Sequence, residues 1–273
     1  MRYRRRAPHA ALALIALAGV AMAADEPATA PPDSTQPPAA VPTSPWVADV
    51  GAYTDYVERG ITYSRDRYSL QGHVEYDSPV GWYSGAFLVH SVEIVNKQSI
   101  EIDPYLGYLR RLDDWTIDMG AFSWIYPRGR LDVSDKRYNT MEATLDVTYK
   151  DVGVKFWYDL LDYWGVDSSS AAPDYRIAPN GASSGSLYVD THANLPLPLG
   201  FTLRLHVGHQ TVRNYGELDF TDWLAGIEKT VGPHLTVGGA YTDTNANPAL
   251  WVDAYGLVLG KAKWTAYARW SFL

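Results

Sequence analysis

The feature that most restricts the fold of this chain is a two-residue alternation of apolar and polar side chains. In residues 140–149, Met141 and Leu145 fall on one face of an extended strand, whereas Glu142 and Asp146 fall on the other. A period of two is typical of a β-strand whose two faces meet different surroundings. Beyond the N-terminal segment, no run approaches the ~18 apolar residues that a membrane-spanning helix needs. The pattern therefore predicts an all-β protein.

Segments with this alternation predict about 12 antiparallel strands. They lie at 47–58, 69–77, 82–92, 99–109, 115–126, 140–149, 152–162, 187–195, 201–207, 220–231, 235–244 and 264–273. An even number places both ends of the chain on one side of a membrane, as in single-chain bacterial barrels. Residues 249–260 could supply another strand, which leaves ~10 or ~14 strands open. We interpret this segment as a loop.

The connections between the predicted strands alternate in length. Short ones lie at 77–81, 110–114, 150–151, 196–200 and 232–234, and long ones at 60–68, 93–98, 127–138, 163–185, 212–219 and 245–263. Short periplasmic turns and long outer loops are typical of outer-membrane barrels. We therefore predict a transmembrane antiparallel up-and-down β-barrel over residues 46–273.

Aromatic composition also favours a membrane protein. The chain has 20 Tyr and 10 Trp but only 6 Phe, and an aromatic ring with a polar tip suits a membrane interface. The aromatic residues near predicted strand ends, which we assign to this interface, include Tyr56, Trp82, Tyr83, Trp115, Trp124, Tyr126, Tyr163, Trp164, Trp223 and Tyr241.

The N-terminus has the pattern of an export signal. Four arginines precede an apolar run at residues 10–21, and Ala21-Met22-Ala23 provides the small residues that signal peptidase requires. We therefore expect residues 1–23 to be a cleaved signal peptide, with the cell outer membrane as the destination. Residues 24–45 contain seven prolines and few large apolar side chains, a composition that predicts a disordered leader.

Charge and composition restrict the partners. After loss of the four signal arginines, the chain keeps 19 of 23 basic residues and all 31 acidic ones, a net charge of −12. Because nucleic-acid phosphates demand a basic surface, we expect no nucleic-acid partner. The chain has no cysteine, and therefore no disulfide framework. We expect it to contact outer-membrane lipid and lipopolysaccharide, and to be recognised by the barrel assembly machinery through the aromatic end of its last strand, Phe272.

Four segments carry a family resemblance. They read TDYVERGI at 54–61, QGHVEY at 71–76, GWYSGA at 81–86 and EIDPYLGY at 101–108. Their order resembles the TorF family of outer-membrane porins, whose members carry S-D-Y-x-x-R-G-I, Q-G-x-x-x-Y, G-x-Y-x-G and E-I-D-x-Y-x-G-Y segments. The resemblance covers residues 47–160 by motif and the C-terminal half by pattern, and it implies a porin without a defined substrate.

Two departures from the family pattern stand out. Thr54 replaces a serine, and Pro104 replaces an aliphatic residue. Proline removes a hydrogen-bond donor from a strand, so we expect a bulge or kink at Pro104. Within the first segment, we expect Arg59 to brace the first strand by pairing with Asp55 or with an acid of a neighbouring strand.

If the apolar face of each strand contacts lipid, the polar face lines the interior. The lumen-lining candidates are Asp55, Arg59, Glu75, Glu101, Asp103, Asp118, Glu142, Asp146, Lys155, Asp159, Asp190, His192, Arg204, His206, Asp222, Glu228 and Arg269. Eleven of them are acids and four are Lys or Arg, and acidic rings in a pore favour cations. The sequence thus predicts a porin for small hydrophilic solutes with a preference for cations. At this size the lumen can be open or filled, and the sequence decides neither this nor the oligomeric state.

One polar constellation can be placed by register. The connection at 196–200 joins the strands at 187–195 and 201–207. If this turn is centred on Pro198, Asp190 faces His206 and His192 faces Arg204. No spacing here is specific for a metal, and we interpret these residues as hydrogen-bonded pairs. We predict no metal site and no cofactor.

Two other functions compete with a porin. An outer-membrane enzyme acting on lipid needs a nucleophile and a histidine oriented by a third group, and the chain has no G-x-S-x-G segment. We therefore predict no enzyme and no catalytic residues. A structural or adhesive barrel would instead use its long outer loops to bind a partner.

Overall fold

The computed structural model describes residues 44–90 and 100–272. Twelve strands form one closed antiparallel barrel, in which each strand pairs with the next and the last returns to the first. The barrel strands are β1 (Trp46–Tyr53), β4 (Ser69–Asp77), β5 (Trp82–His90), β6 (Ile100–Leu112), β7 (Trp115–Trp124), β8 (Thr140–Tyr149), β9 (Val152–Asp159), β10 (Leu187–Leu197), β11 (Phe201–Thr211), β12 (Phe220–Val231), β13 (Leu235–Thr244) and β14 (Lys263–Ser271). The predicted twelve-stranded barrel is confirmed.

A separate two-stranded hairpin interrupts the order of the barrel. It contains β2 (Val57–Glu58) and β3 (Ile61–Thr62), and it belongs to the connection between β1 and β4. The first strand was predicted to continue to residue 58, but it ends at Tyr53. Residues 249–260 form a loop, as predicted, with one isolated bridge between Val252 and Val258. The predicted signal peptide, the leader as far as residue 43, the last two residues of the strand predicted at 82–92 and the predicted loop at 93–98 lie outside the described residues.

The outer face of the barrel is apolar. Its exposed side chains include Leu70, Val74, Leu88, Leu106, Met119, Leu145, Phe156, Val207, Ile227 and Val237. An apolar band around a closed barrel suits contact with lipid hydrocarbon, because every strand has a hydrogen-bonded neighbour on both sides. No helix in residues 44–90 or 100–272 is long and apolar enough to cross a membrane.

The two ends of the barrel differ in their connections. Turns at 78–81, 113–114, 150–151, 198–200 and 232–234 close one end, and loops at 54–68, 125–139, 160–186, 212–219 and 245–262 lie at the other. The long loops share an apolar core that includes Tyr126, Val166, Ile177, Tyr215 and Leu218. The end with the long loops, called the outer end below, is therefore a packed structure rather than a set of independent loops.

Pro104 lies within β6 without a bulge. Ile102 bridges Ile125 and Tyr105 pairs with Phe122 in the same register, so no residue is inserted between them. The pairing between β6 and β7 lapses only at the intervening positions, because Pro104 has no N–H to donate to β7. On the other side, Pro104 keeps its pairing with Ala86 of β5. The predicted bulge is thus replaced by a local gap in one ladder.

Candidate functional site in the barrel interior

The predicted lumen-lining residues lie on the face opposite the apolar exterior. The buried members on the strands are Glu75, Glu101, Asp103, Glu142, Lys155, Asp159, Asp190, His192, Arg204, His206 and Asp222, and the half-buried members are Asp118, Asp146, Glu228 and Arg269. The other two, Asp55 and Arg59, do not belong to a barrel strand. They come from the hairpin, which folds into the interior at the outer end.

The hairpin forms because two consecutive residues adopt left-handed backbone conformations. Arg59 has a φ of 49° and Gly60 a φ of 74°, the combination that a type I′ turn requires. Glu58 pairs with Ile61, and Val57 with Thr62, on either side of this turn. A type I′ turn matches the right-handed twist of its strands, and from this turn the Arg59 side chain extends to Glu142 of β8.

Arg59 reaches a cage on the far wall of the barrel. Its Nη1 and Nη2 atoms donate to Glu142 Oε1 and Oε2 at 3.0 and 2.6 Å, and Nη1 also donates to Gln210 Oε1 at 2.9 Å. The guanidinium carbon lies 4.3 Å from the centroid of the Tyr188 ring and 5.3 Å from that of Trp157. Two further indole rings, those of Trp124 and Trp164, lie within 6 Å. Arg59 therefore pairs with an acid of β8 and not with Asp55.

The base of the hairpin is held by other strands. Tyr56 Oη donates to Glu101 Oε1 on β6 at 2.6 Å. Asp55 accepts hydrogen bonds from Thr62 and Ser64 within the same segment, and Lys263 of β14 lies 3.1 Å from Asp55 Oδ2. These contacts hold both arms of the hairpin at its base, and the tip extends from there into the cage.

The hairpin crosses the interior from one wall to the other. A Cβ placed on Gly60 would lie 2.9 Å from Asp222 Cβ on β12 and 3.1 Å from Thr244 Cβ on β13. Together with the Arg59, Tyr56 and Asp55 contacts, the hairpin lies against every strand from β6 to β14. It therefore narrows the outer half of the interior, and glycine at position 60 is required both by its φ and by the lack of space.

Aromatic residues line much of the interior, including the constriction. Six of the ten aromatic residues that were assigned to the membrane interface lie inside instead: Tyr56, Tyr83, Trp124, Tyr126, Tyr163 and Trp164. Trp82, Trp115, Trp223 and Tyr241 lie on outward positions. The prediction failed for the first group because an aromatic residue near a strand end can contact either the membrane interface or an internal cluster. Beyond the strand end, the two-residue alternation no longer indicates which way the side chain points.

Trp164 joins the cluster through a strained turn. Trp164 and Gly165 have φ values of 40° and 75°, and Val166 N donates to Tyr163 O at 2.9 Å. A left-handed conformation costs a bulky residue energy and persists where the surroundings enforce it. The Trp164 indole lies 5.5 Å from that of Trp124. The loop at 160–186 thus supplies one wall of the Arg59 cage.

The same loop is tied to its neighbour at 125–139. Lys136 Nζ lies 2.8 Å from Asp162 Oδ2 and 2.5 Å from Asp167 Oδ2. Burial opposes ionisation of Asp167, but hydrogen bonds from Lys136 and Ser169 hold the pKa of this carboxyl well below its usual range. The bridge therefore stabilises the loop that carries Trp164.

The histidine constellation has a different register from the predicted one. Leu197 pairs with Phe201, so His192 faces His206 rather than Arg204, and Asp190 faces Gly208. The turn contains three residues, 198–200, and is centred on residue 199, which shifts the pairing by two positions. Asp190 and His206 still lie diagonally, with 3.9 Å between Oδ1 and Nδ1. His206 Nε2 lies 2.5 Å from Asp222 Oδ2.

Polar pairs continue towards the end with short turns. Tyr105 Oη donates to Glu75 Oε2 at 2.6 Å, and Tyr83 Oη donates to Asp118 Oδ1 at 2.7 Å. Tyr267 Oη contacts Glu228. These tyrosines lie across inward glycines: a Cβ on Gly107 would lie 2.2 Å from Tyr83 Oη. Because the glycines have no side chain, the rings lie close to the wall.

One group of side chains in the interior resembles a hydrolase triad, but its contacts differ from those of a triad. Thr148 Oγ1, His192 Nε2 and Asp190 are in the order of a hydrolase triad, with a Thr148–His192 distance of 3.3 Å. The His192–Asp190 distance of 3.7 Å is too long for a hydrogen bond, and Thr148 donates to Asp146. Within the two described ranges, no group of three His, Asp or Glu residues could hold a metal ion.

Several residues of the constriction were not singled out from the sequence. Gln210 and Lys263 carry no motif, and Trp157 reads as one more residue of an alternating strand. The available signal is the pair Arg59–Gly60, since a glycine after a possible turn residue favours a type I′ hairpin. That signal predicts a turn but not the direction in which the hairpin folds.

Comparisons with known proteins identify a bacterial family and a porin-like fold. The model of the family described as "Bacterial protein of unknown function (Gcw_chp)" matches residues 39–272. No curated protein matches the chain significantly. Among solved structures, the NanC porin is similar with a TM-score of 0.52 and 13% identity over 83% of this chain and 99% of that one. The KdgM porin has a TM-score of 0.51 and 6% identity over 84% and 99%. At these identities, the likeness shows the fold of outer-membrane porins.

Proposed function

Because the chain belongs to the Gcw_chp family of bacterial proteins of unknown function and has the fold of a porin, we propose that it is an outer-membrane channel for small hydrophilic solutes with a preference for cations. The chain would lie in the outer membrane, in contact with lipid and lipopolysaccharide, after insertion by the barrel assembly machinery. The four segments that resemble TorF porins support the same proposal.

The observation that carries the proposal is the separation of charge from apolar surface. The seventeen candidate residues of the interior are buried or half-buried, whereas the exterior is apolar. The interior also contains Asp49 and Glu58 as further acids and Lys263 as a further base. Acids therefore outnumber Lys and Arg along the inner wall, and their field attracts cations into a water-filled passage.

The hairpin limits conduction in this proposal. It crosses the outer half of the interior, while the inward tyrosines of the other half lie against the wall over their glycines. We therefore propose that residues 54–68 form a constriction, and that conductance depends on whether the hairpin is inserted or withdrawn.

The test is single-channel recording of the refolded chain in a planar bilayer under a salt gradient. A second chain replaces residues 54–68 with a short Gly-Ser turn, because Tyr53 and Ser69 are direct partners across β1 and β4. Heat-modifiable migration in electrophoresis verifies that both chains have folded.

We expect small steps from the complete chain, larger steps without the hairpin, and a reversal potential directed towards cations in both. A reversal potential directed towards anions would refute the cation preference. A folded chain that conducts neither with nor without its hairpin would refute the channel.

A further inference from the structure

The cage around Arg59 belongs to the barrel wall and one outer loop, whereas Arg59 itself comes from the hairpin. Glu142, Trp157 and Tyr188 are strand residues of β8, β9 and β10. The hairpin adds only Glu58, whose Oε1 lies 3.3 Å from Arg59 Nε. The cage is therefore built almost entirely from residues outside the hairpin, which inserts the Arg59 side chain into it.

The chemistry of the cage is specific for a guanidinium group. Two parallel N–H···O bonds to one carboxylate match the planar fork of a guanidinium, and an ammonium cannot form them in this geometry. The amide oxygen of Gln210 accepts a third N–H. Rings of Tyr188 and Trp157 lie at distances at which cation–π attraction is significant. The Arg59 side chain is 4% exposed and that of Glu142 0%, so these contacts operate away from bulk water.

Acids exceed bases around the cage. Asp159 pairs in register with Glu142 across β8 and β9, which places two carboxylates side by side next to one guanidinium. The nearby Lys155 pairs in register with Asp146 on one side and Asp190 on the other, so its charge is shared with other acids. Withdrawal of Arg59 would leave the buried Glu142 carboxylate without the cation that faces it, which favours its replacement by another cation.

We propose that this cage is a binding site for the guanidinium group of a solute, and that Arg59 is a tethered occupant which the solute displaces. The proposal rests on the channel function, since it names the chemical class of solute that would open the constriction. A solute that enters the cage takes over the contacts with Glu142 and Gln210, and the hairpin tip loses its main polar anchor.

The first experiment measures binding directly. The Arg59→Ala chain, folded in detergent micelles, is titrated with methylguanidinium chloride in a calorimeter at constant ionic strength. We expect saturable binding that is at least about tenfold tighter than in the wild-type chain, in which the tethered Arg59 competes at high effective concentration. Methylammonium should bind at least about tenfold more weakly than methylguanidinium, because it lacks the bidentate fork.

Two control chains locate the site. Arg59→Ala combined with Glu142→Gln should weaken methylguanidinium binding by about tenfold or more. Arg67→Ala removes an exposed arginine from the same segment and leaves the cage occupied, so it should resemble the wild type. Equal binding of methylguanidinium and methylammonium, or binding that the Glu142→Gln change leaves unaltered, would overturn the proposal.

A second measurement does not depend on the folding of a variant. In wild-type protein, methylguanidinium should accelerate amide hydrogen exchange in residues 54–64, where Tyr63 N donates to Tyr56 O and Thr62 N to Leu259 O. Unchanged exchange at methylguanidinium concentrations that saturate the wild-type chain in the calorimeter would refute the displacement. Neither measurement requires conductance, so binding without a channel and a channel without binding are separate outcomes that identify which proposal fails.

Discussion

Replacing Arg59 with methionine keeps most of its volume but removes the charge that faces Glu142. Both side chains are almost fully buried, and removal of one partner of a buried ion pair costs about 3–5 kcal/mol because the other charge stays desolvated. This cost applies to the inserted state, since Glu142 regains water when the hairpin withdraws. At ~1.4 kcal/mol per factor of ten, Arg59→Met should raise the ratio of withdrawn to inserted hairpin by about 10²- to 4 × 10³-fold.

Single-channel recording at fixed voltage and salt gives this ratio, because the ratio equals the open probability divided by the closed probability. The decisive comparison is with the double variant Arg59→Met, Glu142→Leu. Replacement of a whole buried ion pair by apolar residues is often neutral or stabilising, so the double variant should return towards wild-type open probability although it carries one more change. Arg67→Met, on an exposed arginine of the same segment, should leave the recordings unaltered.

The two variants separate the possible failures of this reasoning. If Arg59→Met has the same open probability as the wild type, the ion pair does not hold the hairpin. If the single and double variants open to the same extent, the loss of cation–π contact or of the Gln210 hydrogen bond dominates, and desolvation of Glu142 is not the cause.

Three further changes test other parts of the structure. Gly60→Val places a side chain where no space exists and where φ is positive, so it should increase open probability while Arg59 is retained. Gly107→Ala should push the tyrosine of β5 into the lumen and lower the conductance of the chain without its hairpin, whereas Gly72→Ala, whose added Cβ has its nearest neighbour at 3.9 Å, should not. The lowered pKa of Asp167 implies that its ion pair stabilises the loop at 160–186 above the unfolded pKa of ~4, and that this stabilisation is lost as the pH falls below that value. Limited proteolysis should therefore cleave this loop more readily in acid. In the Lys136→Met chain, the loop should be cleaved more readily at neutral pH as well.

The barrel itself could be predicted because its strands carry their environment in their sequence. Lipid on one side and polar groups on the other enforce a period of two, which locates all twelve strands. The alternation does not mark where a strand stops. Residues 54–58 were assigned to the first strand, although the ladder ends at Tyr53 and both residues of β2 are buried, because a two-residue hairpin strand is too short to show a period of its own.

The interior could not be predicted to the same depth, because its contacts join distant parts of the chain. Arg59 lies 83 residues from Glu142 and 151 from Gln210 in sequence, and no local pattern relates them. The register between β10 and β11 shows a smaller version of this problem. Leu199 adopts a φ of 67°, which is rare for leucine, and the resulting three-residue turn exchanges the predicted partners of His192.

The buried charge of Arg59 argues for a role beyond stability. A barrel that needed only a filled interior could fill it with apolar side chains, since a buried ion pair offers little net stability over a well-packed apolar pair. This chain instead places its arginine on a two-residue turn, followed by a glycine at a point between β12 and β13 where a side chain has no space. The arrangement holds a guanidinium at one defined point on the wall, and water or a competing cation can take over its contacts. A guanidinium held by polar contacts can be replaced by a solute that makes the same contacts, whereas an apolar side chain in the lumen could leave only against the hydrophobic effect.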